Sequence, residues 1–168
     1  DVISRYPVQV EQVFSPESLF LLQHALQGVM RSGTGRSAYS SLPNNLDLAG
    51  KTGTTNDNRD SWFAGFSGDY LAVVWIGNDD NTPTAFTGSG GALRVWTDFM
   101  RTIPQSSISM VQPESIRYYW FDRKTGKRTD EQCKGASQLP IWGDVSAIPY
   151  QSCDNGFSNF KGWIKSWF

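Results

Sequence analysis

Between Leu46 and Gly77 three strand-like segments follow one another with connections that leave room only for antiparallel neighbours. Ser61 to Phe66 and Tyr70 to Ile76 are rich in aromatic and β-branched residues, and Ser67-Gly68-Asp69 between them is a tight hairpin signal. The first segment carries Lys51-Thr52-Gly53-Thr54, and the polar stretch Thr54 to Asp60, with Asn56, Asp57 and Asn58, forms the turn to the second. Because side chains alternate across a strand, Thr52 and Thr54 share a face while Lys51 projects to the other. Gly53 allows a substrate backbone to approach, and the amides of an exposed strand edge can bind a peptide. An ammonium and two hydroxyls on one short strand suit a site that holds a carboxylate beside a reacting carbonyl.

Helical signals flank these strands. Ser15 is a cap and Pro16 a first helical residue, and Leu19, Leu22, Ala25, Leu26, Val29 and Met30 then follow helical spacing until Gly33-Thr34-Gly35 breaks the pattern. Gly90-Gly91-Ala92 opens a second helix through about Met100, with Leu93, Val95, Trp96, Phe99 and Met100 expected to pack on the sheet. Beyond Pro104 the periodicity weakens, so a boundary is placed near residues 104 to 113, giving units 1–104 and 105–168. The second unit reads as a small β-rich appendage built on an Arg-Tyr-Tyr-Trp-Phe run and Leu139-Pro-Ile-Trp142.

Composition narrows the functional classes. A formal charge of -1 from fifteen basic and sixteen acidic residues offers nucleic acid no general electrostatic footprint. One histidine, His24, on a helix, leaves no set of metal ligands, and no metal or other cofactor is expected. No apolar run approaches the roughly 20 residues of a membrane span, so any anchor is expected outside this chain. The start at Asp1 without an initiator Met reads as a fragment or processed chain. Cys133 and Cys153 lack Cys-x-x-Cys spacing; they are read as a disulfide of an oxidising compartment, with two buried thiols as the alternative.

Two Lys-Thr-Gly tripeptides occur. Lys124-Thr125-Gly126 stands among charges and reads as a solvated hairpin turn. Lys51 lies in Ala49-Gly-Lys-Thr-Gly-Thr-Thr-Asn-Asp57, followed by Asp60-Ser-Trp-Phe-Ala-Gly-Phe66 and Ala72-Val-Val-Trp-Ile-Gly-Asn-Asp79 and preceded by Gly33-Thr-Gly35. This arrangement, over about residues 15 to 101, closely resembles the transpeptidase domain of class A penicillin-binding proteins. Leu139-Pro-Ile-Trp142 and Gly162-Trp-Ile-Lys165 resemble the C-terminal region of the 1B type.

The resemblance implies an α/β fold, the C-terminal part of a penicillin-binding, serine β-lactamase-like transpeptidase domain with antiparallel strands packed against helices. It implies serine acyl transfer on D-alanyl-D-alanine stem peptides of peptidoglycan, inactivated by β-lactams, in a parent protein that is also a glycosyltransferase at the periplasmic face of the inner membrane. Carried onto this sequence, Lys51 supplies positive charge and orients a serine hydroxyl, while Thr52, Gly53 and Thr54 bind the substrate or the β-lactam. The amide of Thr54 is one of two oxyanion donors.

Such enzymes also need Ser-x-x-Lys and Ser-x-Asn upstream of the Lys-Thr-Gly strand. Neither precedes Lys51, Ser-x-Asn is absent, and Ser158-Asn-Phe-Lys161 lies in the tail. The nucleophile is therefore expected on an N-terminal portion of the same domain, and this polypeptide alone is expected to be inactive. Two rivals are a β-lactamase or D,D-carboxypeptidase of the same fold, and a non-catalytic cell-wall-binding module whose aromatic appendage contacts glycan or protein.

Overall fold

A computed structural model describes residues 11–153. The tail segments Ser158–Lys161 and Gly162–Lys165, and the strand-like start at Asp1, lie outside the described residues. The chain divides into two compact units, meeting at Val111 and Gln112.

The first unit begins with helix α1 (Pro16–Ser32). Ser15 caps it, its Oγ accepting from the Ser18 amide at 3.2 Å, and Pro16 occupies the first turn, where no backbone donor is needed. Gly33 closes it, with its amide on the carbonyls of Gly28 and Val29. A short 3-10 turn (Arg36–Ser40) leads to a three-stranded antiparallel sheet of β1 (Ala49–Thr54), β2 (Asp60–Phe66) and β3 (Leu71–Gly77), in the order β1-β2-β3. The β2–β3 hairpin turns at Ser67, whose amide donates to the Tyr70 carbonyl and whose Oγ accepts from the Tyr70 amide. Helix α2 (Ala92–Arg101) completes the unit.

The core joins Met30, Leu42, Leu48, Phe63, Leu93, Trp96 and Met100, all buried. Phe63 of β2 meets Trp96 of α2 edge-on, ring centres 4.9 Å apart, and the Trp96 indole N–H donates to the Gly65 carbonyl at 3.3 Å. Burial of each large side chain contributes about 1.5–3 kcal/mol, so this contact fixes α2 on the sheet. Ser61 on the same face is fully buried: its hydroxyl donates to the Thr87 carbonyl at 2.8 Å and accepts from the Ala92 amide at 2.9 Å.

Both helices bury a narrower stripe than their apolar spacing predicts. On α1 only Phe20 and Met30 are buried, while Leu19 and Leu22 stay exposed, because the helix packs on β1 and the 3-10 turn along one flank only. On α2 Leu93, Trp96, Thr97 and Met100 face the sheet, but Val95 and Phe99 do not; they stand about 100° further round the helix.

The division at Val111 and Gln112 falls within the 104–113 stretch, at its later end. Ser106 bonds twice to the β2–β3 turn, accepting from the Gly68 amide and donating its own amide to Asp69. Ile108 is buried, with its amide on the Asp47 carbonyl, and Ser107 Oγ accepts from the Asp47 amide. Residues just past Pro104 are thus stitched to the first unit by backbone bonds that composition does not reveal.

The second unit is a hairpin of β4 (Ile116–Asp122) and β5 (Ala136–Trp142), in register from Ile116 opposite Trp142 to Asp122 opposite Ala136. Cys133 and Cys153 are joined by a disulfide, Cα atoms 5.5 Å apart. Around it Asp130 accepts from the Tyr150 and Ser152 hydroxyls, and Arg128 exchanges backbone bonds with Pro149 and Gln151. Hydrogen bonds and one covalent link supply much of the order that a larger apolar core gives the first unit.

Candidate active site

Strand β1 is an edge strand: β2 pairs with one side of it, and no other strand among the described residues pairs with the opposite side. Lys51 stands opposite Ala64, Thr52 opposite Phe63 and Thr54 opposite Ser61. The two hydroxyl-bearing residues therefore lie on the face that α2 covers, and Lys51 on the other. Lys51 is exposed and its ammonium donates to the Thr52 carbonyl at 2.7 Å, so it lies back along the strand. On its own face Gly53 is flanked by the tilted pair Trp62 and Trp75, ring centres 6.1 Å apart and both partly exposed.

Each hydroxyl of the strand is held from outside. Thr52 Oγ1 lies 2.8 Å from Thr34 Oγ1, and Thr54 Oγ1 accepts from the Gly88 amide at 2.8 Å. Gly88 can reach that position only as glycine: a methyl group there would stand 2.5 Å from the Gly53 carbonyl oxygen and 2.9 Å from that of Trp62. The loop before α2 thus rests on the β1–β2 pair, and buried Ser61 holds its far end through Thr87 and Ala92.

The approach to β1 is equally fixed. The Arg31 guanidinium donates to the carbonyls of Asn44 and Leu46 and to the Asp47 carboxylate at 2.5 Å, and lies 4.7 Å from the Tyr39 ring centre. Tyr39 donates its hydroxyl to the Leu46 carbonyl at 2.9 Å; burial pushes its pKa up, with the nearby Arg31 charge pulling the other way. After β1, Asp60 accepts from Thr55 Oγ1 and from the Trp75 indole N–H, and Thr84 donates twice to the Asn58 carbonyl. His24, on α1, has its pKa lowered by partial burial.

One cleft runs between the 3-10 turn and α2, lined by Ser37, Ser40, Ser89, Arg94 and Asp98, and has neither Lys51 nor Thr52 in its wall. Among the described residues β1 stands at the edge of its sheet, as one side of a site.

The sequence model described as Penicillin binding protein transpeptidase domain matches residues 4–95. The chain belongs to that family. Penicillin-binding protein 1B of Vibrio cholerae is 36% identical over 160 residues, which cover 95% of this chain and 20% of that protein. Penicillin-binding protein 1B of Escherichia coli is 35% identical over 146 residues, 86% of this chain and 17% of that one. The crystal structure of Penicillin-Binding Protein 1A from Haemophilus influenzae superposes with a TM-score of 0.68 at 25% identity, over 84% of this chain and 22% of that chain. This chain spans about a fifth of the length of these relatives, and its α/β architecture is the transpeptidase fold of the family.

The structure brings Lys51, Thr52, Gly53 and Thr54 together on one edge strand, and places Cys133 and Cys153 in the second unit. Sequence reasoning did not single out Thr34 or Gly88 as neighbours of the strand. The Gly33-Thr34-Gly35 segment stood out as a helix breaker and as part of the family-like pattern, with no role given to Thr34, and Gly88 is one of several glycines in a polar connection.

Proposed function

We propose that this chain is the C-terminal part of a peptidoglycan D,D-transpeptidase that binds penicillin and cross-links stem peptides by serine acyl transfer. In the complete protein Lys51 supplies positive charge and orients the hydroxyl of the Ser-x-Asn serine. Thr52 and Thr54 hold the terminal carboxylate of the stem peptide or the carboxylate of a β-lactam, and the Thr54 amide donates to the oxyanion. The observation that carries this reading is a strand at the sheet edge among the described residues, with two tethered hydroxyls on one face and a lysine on the other, in a chain of the penicillin-binding transpeptidase family.

Ser-x-x-Lys and Ser-x-Asn do not precede Lys51, so the nucleophile belongs to an N-terminal portion of the same domain. Exposed apolar side chains support that partner: Leu19 and Leu22 on α1, and Leu71, Val73 and Trp75 on β3. The parent protein is, on this reading, also a glycosyltransferase, anchored in the inner membrane and facing the periplasm. The disulfide fits that oxidising compartment.

Covalent labelling by a fluorescent penicillin tests the proposal. The complete protein takes the label and residues 1–168 alone do not; an unlabelled complete protein rejects the enzyme reading, and a labelled fragment rejects the missing nucleophile. Supplying lipid-linked precursor then distinguishes a transpeptidase, which yields cross-linked dimers, from a carboxypeptidase, which yields only trimmed peptides.

A further inference from the structure

We propose that Thr34 is a positioning residue for the carboxylate site, acting through Thr52. The inference rests on the reading that Thr52 and Thr54 receive a carboxylate, and extends it to a residue outside the strand.

A hydroxyl has one proton and two lone pairs. To donate to a bound carboxylate, Thr52 and Thr54 must each spend their single proton on the ligand, so any other bond at Oγ1 must be one they accept. Thr54 meets this condition, because the Gly88 amide can only donate, and it fills a Thr54 lone pair at 2.8 Å. Thr52 meets it only if Thr34 is the donor in their 2.8 Å contact, which geometry permits in either direction. An arriving anion selects that direction: Thr34 donates to Thr52, and Thr52 donates to the carboxylate. Each donor in such a chain polarises the next.

The backbone holds Thr34 in place. Its neighbours are bonded to the end of α1, the Gly33 amide to Gly28 and Val29 and the Gly35 amide to Val29 at 3.0 Å. The Arg36 amide returns to the Gly33 carbonyl at 3.2 Å. Arg31, one turn before Thr34, locks Asn44, Leu46 and Asp47 ahead of β1. The Thr34–Thr52 contact therefore joins two segments that are each held elsewhere, so the position of Thr52 Oγ1 is set before a ligand arrives and only its proton has to turn.

The test uses the complete protein and the second-order rate of labelling by fluorescent penicillin. Thr34→Val keeps the shape and removes the hydroxyl; the rate is expected to fall roughly threefold to tenfold, the size of one lost hydrogen bond, with the melting temperature unchanged. Thr34→Ser restores most of the rate. In a Thr52→Val background, Thr34→Val costs nothing further, since its target is gone. A wild-type rate in Thr34→Val, or an undiminished loss in the Thr52→Val background, overturns the proposal while leaving the transpeptidase reading intact. If the wild-type complete protein takes no label, the transpeptidase reading itself fails.

Discussion

The same tripeptide, Lys-Thr-Gly, is an edge strand in the first unit and a reverse turn in the second. At Lys51 it is extended, with Thr52 opposite Phe63 and its hydroxyl against Thr34. At Lys124 it wraps around Asp122, whose carboxylate accepts from the Lys124 and Thr125 amides at 2.7 and 2.8 Å while Gly126 adopts a φ of 67°. The Gly126 amide closes the turn on the Asp122 carbonyl. What separates them is context. An aspartate two residues ahead offers local acceptors that outcompete a ladder, whereas Leu48 and Ala49 ahead of Lys51 are fully buried and commit the chain to the sheet. A short motif has chemistry only where its neighbours fix its backbone.

Substituting both lysines breaks this comparison most sharply. In the complete protein Lys51→Ala should slow penicillin labelling by roughly a hundredfold, the scale of losing a placed electrostatic contact, and Lys124→Ala should leave it unchanged. Equal effects would mean that the strand has no special role. Next in size is the covalent link. Replacing Cys133 and Cys153 by serine opens a link spanning 20 residues and should lower the stability of the second unit by about 3 kcal/mol in denaturant unfolding. Labelling should be preserved.

A matched pair of glycine substitutions gives a smaller contrast. Gly126→Ala forces a side chain into the left-handed region and should cost about 1–2 kcal/mol of hairpin stability with no change in labelling. Gly88→Ala pushes the loop off β1 and should slow labelling, because Thr54 loses the amide that it accepts from. The smallest effect concerns pH. The amides of Thr125 and Lys124 hold the Asp122 carboxyl below its ordinary 3.8. The carboxylate thus stabilises the turn above that value and loses its contribution as pH falls through the lower folded value. Chemical shifts of the Lys124 and Thr125 amides should report that transition, and Asp122→Ala should abolish it.

Much of the fold can be read locally. The Ser15-Pro16 cap, the β-branched and aromatic strands and the Ser67 hairpin all lie within a few residues of their own cause. The contacts that complete the candidate site are not of this kind. Thr34 meets Thr52, and Gly88 meets Thr54, only once α1, β1 and α2 are packed, so no periodicity announces them. Ser106 and Ile108 extend the first unit past Pro104 through backbone bonds that leave no mark on composition. Apolar spacing also overstated the buried faces of both helices, because it records what a surface could cover and not what covers it here.

Mass spectrometry of the complete protein after exposure to penicillin, with and without Lys51, tests the central claim most directly. The account predicts one penicilloyl adduct, on a serine N-terminal to this chain, formed much more slowly in Lys51→Ala. An adduct within residues 1–168, or one whose rate ignores Lys51, would contradict it.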